Sequence, residues 1–303
     1  MLGIVIANWN GEKILDRCLL SLSNQKFKNF KIYIIDNDSK DNSIRVIDEY
    51  KKVININLIK MNYNSGFAVA NNLGINVAIN EGCRYILTLN NDIEVSESCL
   101  SRAMEDIKVG SADIYQLFMI NYYDRQKCDA AGLQFDKSLI PIQIGYGTSV
   151  DEIIKKEKYD LEGVCAGAAI YSVKSLQSVK LENGDYFDSN FFAYYEDVDL
   201  SLRLRAKGFK FELLKDSIVY HMHSATGNRT NGFKEYYLTR NMLMYTKRNQ
   251  SKEALKLNSK YYYMRIAKTL IKNFNNFSAI KSTVSGIKDG LKERKKIKSN
   301  FDM

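Results

Sequence analysis

A strand-like run, Gly3-Ile4-Val5-Ile6-Ala7, passes directly into the polar cluster Asn8-Trp9-Asn10-Gly11. Apolar residues then recur at helical spacing from Ile14 to Leu22. A short apolar strand followed by an amphipathic helix is the beginning of a βαβ unit. The same order returns along the first 120 residues, where further runs rich in Ile, Val, Leu and Tyr are strand-like. These runs are Lys31–Asp36, Ile56–Lys60, Tyr85–Asn90 and Ile114–Ile120.

Helical spacing also separates the later strands, at Ile44 and Ile47 and along Ala70–Ile79. Strands that alternate with helices form right-handed crossovers, so we expect an α/β fold with a mostly parallel sheet covered on both faces. Ligands bind such sheets at the carboxyl ends of the strands. Polar clusters follow several of these strands, and we expect a site where the clusters meet. They are Asn8-Trp9-Asn10-Gly11, Asp36-Asn37-Asp38-Ser39, Asn62-Tyr63-Asn64-Ser65-Gly66 and Asn90-Asn91-Asp92.

The pattern changes after residue 120. Residues 121–160 loosen into hairpin-like segments around Pro141, and a small-residue segment follows at Gly163–Ile170. Beyond Gly232 the apolar spacing is helical to the end of the chain. We therefore divide the chain into a domain of residues 1–230 and a helical extension of residues 231–303. The elements predicted before the extension are a helix at Asp197–Lys207 and strands at Phe209–Leu214 and Ser217–His221.

Positive charge is concentrated in the extension. The 303 residues carry a net charge of +9, and residues 251–303, with 13 Lys or Arg against 4 Asp or Glu, account for all of it. An anionic partner would therefore meet the C-terminal region. No known nucleic-acid-binding module is recognisable, so we do not expect a nucleic-acid partner.

The composition is that of a globular protein, with 45% apolar and 26% charged residues. No apolar run reaches about 18 residues, so no membrane-spanning helix is predicted. The first residues are typical of a strand rather than of a signal peptide. The five cysteines form no CxxC pair, which favours a reduced, cytoplasmic setting over a disulfide or zinc framework.

Two acidic motifs carry the chemistry. Phe191-Phe192-Ala193-Tyr194-Tyr195 is an aromatic run, and Glu196, Asp197 and Asp199 follow it at the start of a predicted helix. The other motif is Leu89-Asn90-Asn91-Asp92, a carboxylate at the end of an apolar strand. Acids in these two settings suit a reaction in which one carboxylate holds a metal and another accepts a proton.

These motifs together resemble the family 2 glycosyltransferases with the GT-A fold, a Rossmann-like nucleotide-diphospho-sugar transferase fold, and in particular the bacterial rhamnosyltransferase-like kind. The resemblance spans roughly residues 3–230 and implies a mixed, mostly parallel sheet flanked by helices, with the C-terminal helices as an extension. The matching pieces are Ala7–Gly11, Ile35–Ser43, Asn64–Ala68, Asn71–Gly74, Leu87–Asp92, Gly167-Ala168, Phe191–Leu200, Arg203, and His221 before Ser224 and Thr226.

The resemblance implies a divalent metal, Mn²⁺ or Mg²⁺, at Asp92. The family often has two acids here, whereas this chain has Asn90 and Asn91 before Asp92. His221 stands where relatives complete the metal site, and His223 is the alternative. A turn cluster without metal and a structural histidine are the plainer interpretations of the same residues.

Asp197 matches the base that deprotonates the acceptor hydroxyl in an inverting displacement, and Glu196 is the next candidate. The plainer interpretation is that acids stabilise the start of a helix. The family's donor site also maps onto residues of the strand ends. Ala7, Trp9, Asp36 and Asn37 would hold the nucleoside, and Asn64, Gly66, Phe67, Asn72, Asn90 and Asn91 would line the diphosphate and sugar.

The extension carries an apolar stripe at helical spacing with lysines around it. The stripe consists of Phe277, Ile280, Val284, Ile287 and Leu291. A basic amphipathic helix is typical of binding to anionic lipid. Packing on the chain's own domain, or pairing in a homodimer, explains the same stripe equally well.

The sequence therefore predicts an inverting glycosyltransferase. Its donor would be a dTDP- or UDP-sugar, with rhamnose as the first expectation, and its acceptor a hydroxyl of a cell-surface glycan or lipid-linked oligosaccharide. It would be cytoplasmic, peripheral on the inner face of the membrane. The alternative is a catalytically silent relative that serves as a binding or assembly subunit, which the Asn-Asn-Asp sequence favours. An oxidoreductase is set aside because no G-x-G-x-x-G follows the first strand.

Overall fold

The structure is a computed structural model, and it describes residues 1–222 and 232–297. The strands in these residues are β1 (Leu2–Asn8), β2 (Phe30–Asp36), β3 (Ile56–Lys60), β4 (Tyr85–Leu89), β5 (Ile93–Val95), β6 (Ile114–Asn121), β7 (Cys128–Ala130), β8 (Leu133–Phe135), β9 (Pro141–Gln143), β10 (Ala168–Ser172) and β11 (Phe211–His221). The helices are α1 (Glu12–Ser23), α2 (Ser43–Tyr50), α3 (Gly66–Asn80), α4 (Cys99–Val109), α5 (Val150–Lys155), α6 (Val173–Ser178), α7 (Glu196–Ala206), α8 (Phe233–Asn249), α9 (Lys252–Lys272) and α10 (Phe277–Glu293).

One large sheet organises the described residues. It has nine strands, in the order β3-β2-β1-β4-β10-β6-β11-β5, with β7 paired to β6. Pairing is parallel from β3 through β4 and again between β6 and β11. β10 runs against both of its neighbours, and β5 runs against β11. The sheet is therefore mixed, and the expected α/β fold is confirmed.

Both faces of the sheet are covered, because side chains alternate along each strand. On β1, Ile4 and Ile6 pack with residues of α1, α2 and α4. Val5, between them, packs with residues of α3, α6 and α7 on the other face. These two apolar layers fix the register of the parallel strands, so that Asn8 at the end of β1 lies beside Asp36 at the end of β2.

The sequence placed most of the sheet correctly but missed details of its second half. The small-residue segment becomes β10, which inserts antiparallel between β4 and β6. The two strands predicted at 209–214 and 217–221 are one strand, β11, with a register shift between Leu214 and Ile218. Such a bulge lets a strand continue with a local bend. In the sequence, the polar residues Lys215 and Asp216 at the bulge resemble a turn between two strands.

Helices α8 and α9 both pack on the sheet domain, and α10 packs on α8 through small residues. A Cβ on Gly286 would lie 2.6 Å from the carbonyl oxygen of Tyr236, so glycine is required where the two helices approach. The predicted apolar stripe is therefore not the buried face: Phe277 is 80% and Val284 53% exposed. Within the described residues, no helix combines the length and apolarity needed to cross a bilayer.

Candidate active site

Hydrogen bonds join the polar residues at the ends of β1, β2 and β4. Asn91 donates from Nδ2 to Oδ1 of Asn8 at 2.8 Å, and Asn8 donates in turn to Oδ1 of Asp36 at 2.9 Å. Asp36 also accepts from the hydroxyl and the backbone N–H of Ser39. All three of Asn8, Asp36 and Asn91 are buried. The predicted meeting of these strand ends is confirmed as geometry, and we call this set the strand-end network.

Asp92 and His221 face each other beside this network. His221 Nε2 lies 3.2 Å from Oδ1 of Asp92. On the other side of the ring, Nδ1 lies 2.6 Å from Oδ2 of Asp129, a buried residue of β7. Burial alone would lower the pKa of His221, but the two carboxylates outweigh it and raise the pKa to about 10. Asp129 thus orients the imidazole so that Nε2 points at Asp92.

Asp92 and His221 are the described residues that could hold a divalent cation. Among residues 1–222 and 232–297, no group of three or more His, Cys, Asp or Glu side chains is placed to hold a metal. Mg²⁺ and Mn²⁺ accept oxygen ligands and are often bound by one or two carboxylates together with substrate phosphates. Asp92, with His221 held by Asp129, fits that kind of open site and does not form a closed protein cage.

The backbone before α7 is strained. Phe192, Tyr194 and Tyr195 have φ values of 63°, 69° and 75°, in the left-handed region that non-glycine residues rarely adopt. Each such residue costs about 1–3 kcal/mol and persists only when its surroundings hold it. We call residues 191–197 the acid loop, since it ends in Glu196 and Asp197.

Asn241 of α8 holds the acid loop in this shape. Its Nδ2 lies 2.8 Å from each of three carbonyl oxygens, those of Phe191, Ala193 and Tyr194. Asn241 is fully buried. Because the two N–H donors of this one side chain are shared among three carbonyl oxygens of a strained loop, the extension is part of the framework of the candidate site.

A second contact fixes the start of α7 itself. Asp199 is fully buried, accepts from Arg203 Nε at 2.9 Å and from Asn249 Nδ2 at 3.2 Å, and lies 3.5 Å from Arg248 Nη1. Burial alone would raise the pKa of Asp199, but Arg203 and then Arg248 outweigh it and hold the pKa below 3.8. Asp199 is therefore an anchor between α7 and α8 and is not available as a base.

Glu196 and Asp197 differ in surroundings although they are adjacent. Asp197 is half-buried, and its oxygens accept from the backbone N–H groups of Ala166 at 3.2 Å and Val198 at 2.8 Å. Burial raises the pKa of Asp197, and these N–H groups oppose the rise. Glu196 is only 6% exposed, and within the described residues its Oε2 has no hydrogen-bond partner.

Burial, reinforced by the Asp197 charge, therefore raises the pKa of Glu196 well above its ordinary value. Neighbouring acids whose pKa values are pushed apart are suited to different roles. Asp197 is the better candidate base because it is only half-buried and because two backbone N–H groups stabilise its ionised form.

The turn at Asn64–Phe67 touches the acid loop directly. The backbone N–H of Phe67 donates to the carbonyl oxygen of Phe192 at 2.6 Å. Gly66 has φ 81°, and a Cβ there would lie 2.6 Å from the same oxygen. Only glycine fits this approach. The amide of Phe67, the second residue of α3, is thus bonded within the chain, and the turn joins the predicted donor side to the acid loop.

Two predicted donor residues have their amides bonded inside the protein. Asn37 accepts from Ser65 Oγ at 2.7 Å and donates to the carbonyl oxygen of Gly66 at 3.3 Å. Asn72 accepts from the backbone N–H groups of Tyr186 and Phe187 and donates to the Phe187 carbonyl oxygen. Both shape the walls of the site. The half-buried residues Ala7, Trp9, Asn64, Phe67 and Asn90 lie at or beside the same strand ends.

Asp129 and Asn241 are the residues that the sequence did not indicate. Asp129 lies in the loosely patterned segment before Pro141, and Asn241 lies inside a helix, so no motif marks either of them. An asparagine within an otherwise apolar Met-Leu-Met helix turn is the available signal for the second. His223, Ser224 and Thr226 lie outside the described residues.

Comparison with known proteins locates the matching region of the chain. The family described as glycosyl transferase family 2 matches residues 3–179. Glycosyltransferase GlyG of Streptococcus pneumoniae serotype 4 is 27% identical over 130 residues, 43% of this chain and 41% of that protein. Poly(ribitol-phosphate) beta-glucosyltransferase of Bacillus spizizenii is 32% identical over 117 residues, 37% of this chain and 18% of that protein. The chain thus matches less than half the length of each relative.

Solved structures share the fold over more of the chain. S. aureus TarS 1-349 in complex with UDP-GlcNAc superposes with a TM-score of 0.61 at 17% identity, covering 96% of this chain and 80% of that one. GalNAc-T7 with UDP, GalNAc and Mn²⁺ gives a TM-score of 0.60 at 15% identity, covering 91% of this chain and 58% of that one. These likenesses show a GT-A-like fold with C-terminal helices.

Proposed function

The chain belongs to glycosyl transferase family 2, and from this premise we propose that it is an inverting, metal-dependent transferase of a sugar from a nucleotide-diphosphate donor to a glycan hydroxyl. The observation that carries the proposal is the position of two adjacent acids, Glu196 and Asp197, on a loop that contacts the donor-side turn at Gly66 and Phe67. The two acids differ in burial and in hydrogen bonding, and burial raises the pKa of each.

In the proposed reaction Asp197 accepts a proton from the acceptor hydroxyl. The hydroxyl oxygen attacks the anomeric carbon, a new glycosidic bond forms, and the bond from that carbon to the diphosphate breaks. Attack from the side opposite the leaving group inverts the configuration. Base catalysis of this kind contributes about 10²–10⁴-fold. Burial raises the pKa of the neighbouring Glu196 well above its ordinary value, which favours the neutral form of that carboxyl beside Asp197.

Asp92 and His221 would hold Mn²⁺ or Mg²⁺ next to the strand-end network. A bound divalent cation offsets the negative charge of the leaving diphosphate. Asp129 fixes the imidazole so that its Nε2 is presented to the metal. The likeness to a solved structure that contains UDP and Mn²⁺ supports this assignment.

The donor is proposed to be a UDP- or dTDP-sugar, and rhamnose remains the first sugar to test. UDP-sugars gain support from the neighbour solved with UDP-GlcNAc. The acceptor is proposed to be a cell-surface or lipid-linked glycan, which agrees with the names of relatives such as poly(ribitol-phosphate) beta-glucosyltransferase and GalNAc(5)-diNAcBac-PP-undecaprenol beta-1,3-glucosyltransferase.

Turnover tests this proposal against the silent-subunit alternative, which the single acid of Asn90-Asn91-Asp92 favours. The full chain would be incubated with Mn²⁺ and UDP- or dTDP-linked sugars, and release of the nucleoside diphosphate into solution would be measured. Release above the rate of an Asp197→Asn variant is expected, since water can replace the acceptor. Equal rates for both proteins with every donor would favour a silent subunit.

We also propose that the helical extension binds an anionic membrane surface. Outward-facing positions combine apolar and basic side chains in both α9 and α10: Leu257, Tyr261, Met264, Lys268 and Ile271 in the first, and Phe277, Lys281, Val284, Lys288 and Leu291 in the second. Phe274 between the helices is 72% exposed. Apolar side chains flanked by lysines suit anionic lipid.

Vesicle flotation tests the membrane proposal. The chain is expected to float with phosphatidylglycerol-containing vesicles and not with pure phosphatidylcholine. A double variant, Phe274→Asp with Phe277→Asp, should lose flotation. The control Val109→Asp, at an 87% exposed site outside the extension, should keep it. Unchanged flotation of the double variant would contradict the proposal, and a dimer in sedimentation that the double variant abolishes would assign the stripe to a homodimer.

A further inference from the structure

A cavity of about 550 Å³ lies beside the start of the acid loop. Its walls come from the segment just before and within that loop, from α8 and from α10, and they include Asn190, Phe192, Tyr237, Arg240, Asp289 and Lys292. Its size is that of a small-molecule site. The strand-end network and the metal side, Asp92 and His221, do not line it.

Aromatic rings form one wall of the cavity. Phe192 and Tyr237 stack with their centroids 5.0 Å apart and an interplanar angle of 11°. Phe233 packs against both, at 6.3 Å and 4.7 Å. Since the two stacked rings cover one face of each other, the C–H groups of a sugar ring in the cavity would pack against the parts of these rings that the stack leaves uncovered. Because the rings support one another, little side-chain freedom remains to be lost on binding.

Polar groups of fixed orientation form the other wall. Arg240 Nη2 donates to the carbonyl oxygen of Asn190 at 3.0 Å, and the Tyr236 hydroxyl donates to Asp289 at 2.8 Å. The charges of the lining balance, since Arg240 and Lys292 are matched by Asp289 and Glu293. A balanced lining of hydrogen-bonding groups favours an uncharged polyhydroxyl ligand over a phosphate.

The position of the cavity connects it to the proposed reaction. Phe192 lies five residues before Asp197, so the two backbones are at most about 18 Å apart. The Phe192 carbonyl oxygen also accepts from the amide of Phe67 on the donor side. This upper limit is within the length of a short oligosaccharide that has one sugar in the cavity and a hydroxyl at Asp197.

We propose that this cavity is a subsite for an uncharged sugar ring of the acceptor glycan, with the side chains of Phe192 and Tyr237 as its apolar wall. The inference rests on the proposed function, because it assigns the bound sugar to the acceptor. It predicts that the acceptor extends beyond the sugar that carries the reacting hydroxyl.

Saturation-transfer-difference NMR on the full chain tests the subsite. The probes are the methyl glycosides of glucose, galactose, rhamnose, N-acetylglucosamine and N-acetylgalactosamine, each measured with UDP and Mn²⁺ present. At least one probe should receive saturation from the wild-type chain. Tyr237→Ala should lower that signal at least fivefold, and Lys292→Met, at an exposed rim position, should lower it about twofold. The control Tyr263→Ala, at an exposed tyrosine of α9, should not change it.

The outcomes separate this inference from the proposed function. A wild-type chain that binds UDP but transfers saturation to none of the glycosides would overturn the subsite. So would a signal that survives both Tyr237→Ala and Lys292→Met. Glycoside binding that depends on Tyr237 in a chain that binds no nucleotide would instead contradict the proposed transferase and leave a sugar-binding cavity.

Discussion

The two sides of the candidate site are built in different ways. The strand-end side, with Asp36, Asn91 and Asp92, is set by the register of parallel strands and lies within residues 3–179, where the family match is found. The acid loop lies beyond that match, has three residues at positive φ, and takes its shape from Asn241, far along the chain. Family membership therefore supports the donor side, whereas the acid loop depends on the local geometry described above.

Asp197→Asn is expected to have the largest effect. The amide cannot accept the proton, so transfer should fall about 10²–10⁴-fold. Nucleotide binding should stay within twofold, since the strand-end side is untouched. Steady-state transfer and calorimetric titration of UDP, measured on the same preparation, would check this. Equal losses in both would mean that the two sides are not separable.

Asn241→Leu should damage the acid loop and spare the strand-end side. Three carbonyl oxygens lose their donor, so the free energy of unfolding should fall by about 1–3 kcal/mol. A displaced Asp197 should lower kcat by about 10²-fold. The matched control is Asn273→Leu, at a helix end where its Nδ2 bonds only one carbonyl, that of Thr269, among the described residues. If the control loses as much kcat as Asn241→Leu, the proposal that Asn241 holds the acid loop in its catalytic shape is contradicted.

Asp129→Ala tests the strand-end side in the same manner. Without Asp129, the contact at Nδ1 that orients the His221 ring is lost, and affinity for Mn²⁺ in the presence of UDP should fall about 10–100-fold. Asp124→Ala, at a partly exposed acid nearby in sequence, serves as the control. Manganese titration followed by electron paramagnetic resonance would measure both. Unchanged affinity in Asp129→Ala would remove His221 from the metal site.

The pH profile should reveal the burial of Asp197. The base works when ionised, and burial raises its pKa above 3.8, so the acidic limb of kcat/KM should lie above pH 3.8 and fall about tenfold per unit below it. The ion pairs of Asp199 should keep the acid loop folded over this range. Arg203 and Arg248 hold the pKa of Asp199 below 3.8, so the stability from these ion pairs is present above pH 3.8 and is lost only as the pH falls through the lowered pKa. A limb at or below pH 3.8 in folded protein would contradict this assignment.

Glu196→Gln should have the smallest effect. Because burial raises the pKa of Glu196 well above its ordinary value, the neutral carboxyl that glutamine resembles is favoured, and kcat should change by less than about threefold. Transfer assays beside Asp197→Asn would check the difference. A loss comparable to that of Asp197→Asn would make the two acids one functional unit.

Much of the strand-end side can be predicted from the sequence, because local patterns determine it. The predicted runs at 3–7, 31–36, 56–60, 85–90 and 114–120 match β1, β2, β3, β4 and β6 to within one residue at each end. Alternating burial and parallel crossovers then bring the polar strand ends together. The neighbourhood of Asp92 and His221 was implied only by the family resemblance, and in the structure it results from the pairing of β5, which the sequence did not predict, with β11 at Ile93 and His221.

The acid loop and the extension could not be derived in the same way. Positive φ at Tyr194 and Tyr195 has no signature in a run of aromatic residues, and the clamp by Asn241 is a contact across about fifty residues. The sequence showed the apolar stripe of α10, but it did not show whether this stripe faces α8 or the surface. Gly286 and Gly290 make the small-residue face the one that meets α8, and the larger apolar residues are left on or near the surface.

Calorimetric titration of the full chain with UDP, dTDP and GDP, with and without Mn²⁺, tests the central claim most directly. The account predicts that UDP or dTDP binds, that Mn²⁺ strengthens the binding at least tenfold, and that Asp92→Ala removes the strengthening. No binding of any of the three nucleotides to the folded wild-type chain, or metal-strengthened binding that Asp92→Ala leaves intact, would contradict it.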